Sequence, residues 1–205
     1  MRRIKINSKI TTMPHKGRHS RGYLPHIDSS GITQFITLRL FDAVPTQLIE
    51  RWKEELAQTS EFSEDSEERK RQLVRRIARF EDRGHGECFF LEPTVSRFAA
   101  QTLIQDLENV GNWVIMPNHI HFLFRPAPEP SLGLQIKNLK GKTARGANKL
   151  LNRRGTFWFP DYFDRMIRDE EHLRKTRYYI EQNPVKAGLV PRAEDWQFSS
   201  AYNRE

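Results

Sequence analysis

The sequence predicts an α+β domain of the ferredoxin-like or RRM-like class, with an antiparallel sheet covered by helices on one face and open on the other. Two observations support this class. Short segments of alternating apolar and polar residues are rich in β-branched and aromatic side chains, and longer segments between them repeat apolar residues at helical spacing. When the insertion at about 41–92 is left aside, the order of these segments is strand, helix, hairpin, helix, strand.

The first half of the chain contains one predicted strand, two predicted helices and a short second strand. The run ITQFITLRLF predicts a strand at about 32–40. Pro45 opens a helix, and Ser63 followed by acidic residues opens another, which ends before Gly84. The residues ECFF after His85 predict the short strand. The apolar stripes consist of Leu48, Ile49, Trp52 and Leu56 in the first helix and Leu73, Ile77 and Phe80 in the second.

The second half of the chain completes the predicted core around a tight hairpin. Only Pro117 and Asn118 separate the two hairpin strands, and both residues favour turns. The last strand is expected to bend at Pro160 because proline cannot donate to a ladder. The predicted elements are helices at about 94–109 and 131–151 and strands at about 112–116, 119–125 and 157–167.

The charge of the chain indicates a polyanionic partner. With 205 residues, 34 Lys and Arg and 26 Asp and Glu, the protein carries a net charge of +8, which is typical of nucleic-acid binding. Residues 1–26 include Arg18 and Arg21 and no acid, which predicts a mobile basic arm that orders on a phosphate backbone, or else a solvated tail. Residues 27–205 form the main predicted domain, with a helical insertion at about 41–92.

The composition excludes several classes of protein. Cys88 is the single cysteine, so neither an intramolecular disulfide nor a zinc site of several cysteines is available, and a reducing compartment is expected. No apolar run reaches the roughly 18 residues of a membrane span, and the basic N-terminus precedes no apolar segment. We therefore expect a soluble, cytoplasmic protein without a membrane partner.

The hairpin carries two histidines on an otherwise apolar strand, WVIMPNHIHFLF. Side chains alternate along a strand, so His119 and His121 share one face while Ile120, Phe122 and Phe124 share the other. Two neutral imidazoles at positions i and i+2 form a preorganised pair of ligands for a divalent cation. The alternative is a pair of half-exposed histidines on a solvated face. A metal site needs at least a third ligand from elsewhere in the chain.

The segment EEHLRKTRYYIEQ predicts a helix at 170–182 that ends at Pro184, because the residue before proline resists the α conformation. Tyr179 and Asn183 are four residues apart and share a helix face, and so do Tyr178 and Gln182. Either pair combines a phenolic nucleophile with an amide oxygen that can ligate a metal. The helix spacing leaves both pairs open.

Between the hairpin and the last strand lies a basic segment without acids, QIKNLKGKTARGANKLLNRRG. One face of the predicted helix is largely apolar and the opposite face is basic, which predicts that the basic face tracks phosphates. A solvated face is the alternative. Trp158, Phe159 and Tyr162, which follow, are predicted core residues, with stacking on unpaired bases as the alternative. The candidate DNA-binding residues here are Lys137, Lys140, Lys142, Arg145, Lys149, Arg153 and Arg154.

Four blocks of the sequence resemble the REP-associated tyrosine transposases, a branch of the HUH single-tyrosine transposases of insertion sequences. They are RGYLPHIDSSGITQFITLRL, VIMPNHIHFLF, FWFPDYFDRMIRDEEHLRKTRYYIEQNPVKAGLV and WQFSSAY, and they span about 21–202. The specific feature is His-hydrophobe-His after Met-Pro-Asn, followed about 60 residues later by Tyr-Ile-x-x-Asn-Pro. The resemblance implies metal ligands at His119, His121 and Asn183 and a nucleophile at Tyr179. Its spacing argues against the competing pair, Tyr178 and Gln182.

The resemblance also implies a reaction and a partner. The reaction is cleavage and rejoining of single-stranded DNA with Mg²⁺ or Mn²⁺, in which Tyr179 attacks phosphorus to give a 5′-phosphotyrosine and a free 3′-hydroxyl. The implied partner is single-stranded or hairpin DNA of palindromic REP repeats. A monomer is favoured, and a dimer is possible.

Two other functions are compatible with the same residues. A His-x-His strand also serves zinc hydrolases, which activate water instead of a tyrosine and need a third strong ligand. A ferredoxin-like sheet with a basic surface also serves as a non-catalytic nucleic-acid-binding module. A covalent adduct between a tyrosine and DNA distinguishes the first function from both.

Overall fold

The computed structural model describes residues 17–21, 24–28, 30–58 and 67–202. Its centre is a four-stranded antiparallel sheet of order β4-β5-β3-β6. This order places the hairpin beside the first core strand, as a ferredoxin-like fold requires, and the predicted α+β class is confirmed. The strands are β3 (Gln34–Arg39), β4 (Val110–Ile115), β5 (His119–Phe124) and β6 (Phe163–Met166).

One face of the sheet is covered by two helices, α3 (Pro93–Asp106) and α4 (Leu132–Leu150). Ile120, Phe122 and Phe124 point into this layer and are almost fully buried in the main core, as the strand alternation predicted. The two helices approach closely at Gly146, where a Cβ atom would lie 2.0 Å from a ring carbon of Phe98. The glycine therefore sets the distance between the helices.

The other face carries α5 (Glu170–Lys186), which packs against β4 and β5. A second cluster of buried side chains lies beneath it: Phe35, Val114, Met116, Leu123 and Ile180. The face that the sequence indicated as open is thus partly covered. The reason is that the sheet face that carries the histidines also carries apolar side chains, such as Leu123 of β5 and Val114 of β4, and α5 buries them.

The prediction that α5 ends before Pro184 is wrong. The helix continues to Lys186 and ends at Ala187, followed by Gly188 with a positive φ of 70°. A proline so close to the C-terminus removes a single ladder hydrogen bond, and the amide of Leu189 bonds back to the carbonyl of Pro184. Asn183 consequently lies inside the last turn of a continuous helix.

The predicted insertion is a pair of helices, α1 (Thr46–Gln58) and α2 (Glu67–Glu81). They share a small core of their own, made of Val44, Ile49, Leu56, Leu73 and Ile77. The predicted N-cap Ser63 lies outside the described residues. At its C-terminal end α2 is anchored to the sheet by a buried ion pair, in which Arg39 Nη1 lies 3.1 Å from Glu81 Oε1. The insertion thereby brings the end of α2 to the sheet face that carries the histidines.

Two strand predictions differ from the structure. The residues after His85 form a 3₁₀ turn, Phe89–Leu91, instead of a strand, because Cys88 adopts a left-handed conformation and the turn buries Phe90 in the core. The predicted strand at about 157–167 forms a ladder only over β6, and Trp158 makes an isolated bridge to Leu40. Pro160 interrupts the ladder, and the Lys140 ammonium donates to the carbonyls of Phe159, Pro160 and Asp161 instead of a strand partner doing so.

The two ends of the described chain add to this core. A ribbon that the sequence analysis did not predict, β1 (Gly17–Arg21) paired with β2 (Leu24–Asp28), lies in the C-terminal part of the proposed basic arm, and residues 1–16 lie outside the described residues. At the other end, the amide of Ile115 bonds to the carbonyl of Phe198, so the tail covers the edge of β4. None of the described helices is both long and apolar enough to cross a membrane.

Candidate active site

The two histidines of β5 lie side by side beneath α5. Their ring centroids are 4.4 Å apart, and His119 and His121 are 0% and 2% exposed. Burial lowers the pKa of His119 to about 3 and holds the pKa of His121 well below its usual value. Both imidazoles are therefore neutral at pH 7, which is the form that binds a metal.

Asn118 determines which nitrogen of His119 is available. The Asn118 amide nitrogen donates to the carbonyl of His85 at 2.9 Å, so its oxygen faces His119 Nδ1 at 2.7 Å and must accept a proton from it. The lone pair of His119 is then on Nε2. This atom is buried and has no hydrogen-bond partner within the described part of the chain, which is the state of a ligand directed toward an ion.

His121 is held in a similar way by β3. Its Nδ1 lies 2.8 Å from Thr37 Oγ1, and its Nε2 lies 3.3 Å from the hydroxyl of Tyr179. When Nδ1 donates to the threonine, Nε2 carries the lone pair and faces the tyrosine. The two Nε2 atoms are thus both presented on the side of the sheet where α5 lies.

Tyr179 is the tyrosine that enters the site. Its hydroxyl lies near His121 Nε2 and 3.5 Å from Asp82 Oδ1, and its ring packs edge-on against Phe35 at 5.9 Å. Burial and the nearby acids raise the pKa of Tyr179 well above its ordinary value of 10. The phenol is therefore protonated at neutral pH and becomes nucleophilic only when a cation or a proton acceptor assists it.

The alternative tyrosine points in another direction. Tyr178 is 62% exposed, and Lys186 Nζ lies 5.9 Å from its ring centroid. Its partner in the competing frame, Gln182, is half-buried. Successive helix residues point about 100° apart, so only one of the two adjacent tyrosines can face β5.

Asn183 lies one turn after Tyr179 and is 1% exposed. Neither polar atom of its amide has a hydrogen-bond partner among the described residues. The amide lies close enough to Asp82 and Tyr179 to oppose the rise in the pKa of each. A buried amide that lacks well-formed hydrogen bonds costs roughly 1–3 kcal/mol, so its placement here supports a ligand that the amide would bind.

Asp82 is a site residue that the sequence analysis missed. It follows the last residue of α2, and its carboxylate forms a group with the two histidines in which the ligand atoms all lie within 4.8 Å of one another. Burial raises its pKa, while Asn183, Tyr179 and Lys186 oppose that shift. One signal was available: Glu81 and Asp82 place two acids at a helix C-terminus, where the helix dipole disfavours negative charge.

The donor set fits a divalent cation. Two neutral imidazole nitrogens and a carboxylate lie within 4.8 Å of one another, and His119 Nε2 has no hydrogen-bond partner in the described structure. The buried amide of Asn183, one helix turn after Tyr179, offers a further oxygen near Asp82. Nitrogen and oxygen ligands of this kind suit magnesium, manganese or zinc. The group therefore supports a divalent metal.

The candidate DNA-binding residues from Lys137 to Arg154 belong to α4 and to the turn after it. The helix lies on the opposite side of the sheet from the histidines, because α4 packs with α3 on the core formed by Ile120, Phe122 and Phe124. Lys137, Arg145, Lys149 and Arg154 are exposed. The other three are engaged within the protein. Lys140 Nζ donates to the Phe159, Pro160 and Asp161 carbonyls, Lys142 pairs with Asp106 at 2.6 Å, and Arg153 donates to Asn148 and stacks on Phe89.

Other predicted residues occupy varied positions. Trp158 and Tyr162 are core residues, which confirms that interpretation, whereas Phe159 is half-buried beneath the guanidinium of Arg39 at 3.8 Å. Arg18 and Arg21 belong to β1, and their side chains lie outside the described part of the structure.

Comparisons with known proteins find similarity over the part of the chain that carries the hairpin and α5. Residues 94–183, which include the hairpin and most of α5, match the family model Transposase IS200 like. A REP-associated tyrosine transposase of Haemophilus influenzae is 31% identical over 96 residues, or 42% of this chain and 54% of that protein. One of Escherichia coli K12 is 30% identical over 92 residues, or 44% of this chain and 53% of that protein.

A solved structure has the same fold. It is the REP-associated tyrosine transposase bound to a REP hairpin, with a TM-score of 0.52 and 19% identity over 85% of this chain and 79% of that chain. The matched regions span about half the length of the two curated relatives. The resemblance to REP-associated tyrosine transposases that the motifs predicted is confirmed.

Proposed function

We propose that the protein is a metal-dependent endonuclease and strand transferase of single-stranded DNA that acts at REP-type hairpins through a 5′-phosphotyrosine intermediate. The observation that carries this proposal is the convergence of the Tyr179 hydroxyl, His119 and His121 in one buried cluster with Asp82. A phenol beside a metal-binding pair is the arrangement expected of a nucleophile that attacks a phosphodiester.

The metal ligands in this proposal are Nε2 of His119, Nε2 of His121 and an oxygen of Asn183, with Asp82 as an additional oxygen donor. The orphaned amide of Asn183 and the orphaned nitrogen of His119 support this set. A bound Mg²⁺ or Mn²⁺ would polarise a non-bridging phosphate oxygen and favour the phenoxide.

In this proposal Tyr179 attacks phosphorus and Asp82 receives its phenolic proton. The Tyr179 hydroxyl lies 3.5 Å from Asp82 Oδ1, so this carboxylate is placed to receive the phenolic proton. The phenolic oxygen then bonds to phosphorus while the bond from phosphorus to the 3′-oxygen breaks, and that oxygen takes up a proton from solvent and leaves as a hydroxyl. One phosphodiester replaces another, so the reaction needs no external energy source and can be reversed by a different 3′-hydroxyl.

The proposed partner is DNA with a hairpin and an adjoining single strand, bound by a monomer. The net charge of +8 and the exposed cations of α4 support a polyanionic partner. Arg165 lies closer to the nucleophile, with its guanidinium 5.8 Å from the ring of Phe35, and is suited to contact the strand that is cut. In this proposal the protein acts in the cytoplasm, where its DNA is.

One observation favours a second function. Asp82 supplies the third strong ligand that a zinc hydrolase requires beside two histidines. In such an enzyme an activated water, not Tyr179, would be the nucleophile, and no covalent intermediate with DNA would form. A non-catalytic binding module would likewise form none.

The test is a trapping experiment with single-stranded oligonucleotides copied from imperfect palindromes that flank the gene, in the presence of Mg²⁺ or Mn²⁺. We expect a protein–DNA adduct that survives denaturation, with the nucleotide located on Tyr179 by mass spectrometry. Cleavage without an adduct would favour the hydrolase. Binding without cleavage would favour the binding module.

A further inference from the structure

A cavity of about 240 Å³ opens beside the Tyr179 hydroxyl, between α2 and the sheet. It is smaller than the roughly 300–1,000 Å³ of sites that take drug-sized ligands, so it suits a single- or double-ring group. Tyr179 and His121 form part of its wall, and the cavity is therefore continuous with the proposed active site. None of the chemistry proposed above uses this space.

The walls combine aromatic rings with a buried charged pair. Phe35, Phe159 and Phe163 contribute rings, and Phe35 and Phe163 pack at 69° with centroids 6.2 Å apart. Arg39 and Glu81, which are 6% and 4% exposed, form the polar part of the wall. Rings that offer stacking and a few polar groups that can reach an edge are what a planar heterocycle requires.

The lining of the cavity includes two exposed cations, Arg165 and Arg75. Arg75 also pairs with Glu68 at 3.3 Å, and Asp161 is a second acid in the lining beside Glu81, so Arg165 is the cation best placed to meet a phosphate. Positive charge at the entrance of a largely apolar cavity suits a group that carries a ring on one side and a phosphate on the other. A nucleotide has this construction, whereas an apolar peptide side chain or a lipid tail would not use the arginines.

We propose that this cavity receives one unpaired base of the DNA strand, from a nucleotide that adjoins the phosphate attacked by Tyr179. This inference rests on the proposed function, since it takes Tyr179 as the attacking group. A base inside a duplex is stacked and paired, so it can enter only from a single-stranded region or after leaving the stack. By binding this base, the cavity would position the adjoining phosphate at the Tyr179 hydroxyl. It would also make cleavage depend on which base is bound.

Ala78 offers a way to fill the cavity without removing any group from it. It lies on α2, lines the cavity and is half-buried. The variant Ala78→Phe places a ring in the space, and Ala57→Phe, at an exposed position of α1 outside the cavity, is the matched control. Both changes are made in a Tyr179→Phe background of the full chain, which keeps the ring and prevents covalent attachment.

The probes are fluorescein-labelled (dT)₈ and an eight-unit abasic oligomer that keeps the sugars and phosphates. We expect (dT)₈ to bind about ten-fold more tightly than the abasic oligomer, as stacking of one base would provide. Ala78→Phe should bring this ratio close to one, and Ala57→Phe should leave it unchanged. An unchanged ratio in Ala78→Phe overturns the proposal. A misfolded variant would also lose binding of the abasic oligomer, so the ratio is read in a variant that binds this oligomer as tightly as the Tyr179→Phe parent. If Ala78→Phe has lost that binding, the crosslinking measurement below decides the proposal.

Crosslinking gives a second measurement that needs no cavity variant. Irradiation of an octamer containing 5-iodouracil should attach it to Phe35, Phe159 or Phe163, and attachment only to other residues would overturn the proposal. The adduct on Tyr179 is assayed separately in protein without these substitutions. If the adduct forms but Ala78→Phe leaves the binding ratio unchanged, only the base-binding role of the cavity is overturned. If Ala78→Phe changes the ratio but no adduct forms, the base-binding role is supported and the proposed strand transfer is overturned.

Discussion

The hydroxyl of Tyr179 lies 3.3 Å from Nε2 of His121, although 58 residues separate them in the chain. The contact joins α5 to the central strand β5 and places a phenol at the edge of a group of metal-ligating atoms. It also makes the choice between two adjacent tyrosines a geometric one, because Tyr178 is directed toward solvent.

The first prediction concerns this choice. Tyr179→Phe should eliminate the covalent DNA adduct, because the substitution removes only the attacking oxygen. Tyr178→Phe, the same change one residue earlier, should retain it. Denaturing electrophoresis of labelled single-stranded DNA with Mg²⁺ or Mn²⁺ measures both. A nucleotide found on Tyr178 would reverse the assignment.

The second prediction concerns the metal. His119→Ala and His121→Ala should each abolish cleavage, because either change removes one of two buried nitrogen ligands, while hairpin binding should remain largely intact. His172→Ala, which alters a half-buried histidine in the first turn of α5 outside the group formed by Asp82, His119 and His121, should cleave normally. Cleavage rates and band shifts on the same hairpin measure the two effects. Normal cleavage by both β5 variants would show that the metal assignment is incorrect.

The third prediction concerns Asp82. Asp82→Asn keeps the size and an oxygen of the side chain but cannot receive the phenolic proton, so cleavage should fall by about 10²–10⁴-fold, the usual contribution of a general base. Glu108→Gln is the matched control, since it makes the same change of a carboxylate to an amide at an exposed position outside the site. Single-turnover rates measure the effect. A rate for Asp82→Asn equal to that of Glu108→Gln would remove Asp82 from the reaction.

The fourth prediction concerns the basic face of α4. Replacing Lys142, Arg145 and Lys149 together by Gln should weaken DNA binding and flatten its salt dependence by about three phosphate contacts, if each cation meets one phosphate. Lys142 must leave Asp106 to do so. Affinities measured over a range of salt concentrations give the slope. An unchanged slope would indicate that this face is only solvated.

The fifth prediction concerns helix packing. Gly146→Ala should destabilise the protein by about 1–3 kcal/mol, because the new methyl group would overlap the ring of Phe98. Gly141→Ala, in the same helix, meets only the flexible end of Arg145 at 3.3 Å and should be neutral or stabilising by up to about 1 kcal/mol. Urea unfolding of both variants measures the difference. Equal stabilities would mean that α3 and α4 can separate freely.

The sequence alone determined the features that depend on the period of a single element. Alternation along a strand was enough to place His119 and His121 on one face and the apolar residues of β5 on the other, and the helix repeat was enough to pair Tyr179 with Asn183. The order of strands and helices likewise predicted the ferredoxin-like sheet. These properties follow from the period of the backbone over a few residues, and this period is visible in the spacing of residue types along the sequence.

Only the tertiary structure decided which elements meet. It brought Asp82 to the histidines from the end of α2, covered the expected open face with α5, and placed α4 on the far side of the sheet, where Lys140 and Lys142 bind protein groups. The physical reason is that packing between distant segments depends on the summed burial of many side chains, which no local pattern reports. The low pKa values of the histidines and the raised pKa of Tyr179 follow from the same burial. Burial therefore keeps the imidazoles neutral, as metal ligands must be, and keeps the phenol protonated until a cation or a proton acceptor assists it.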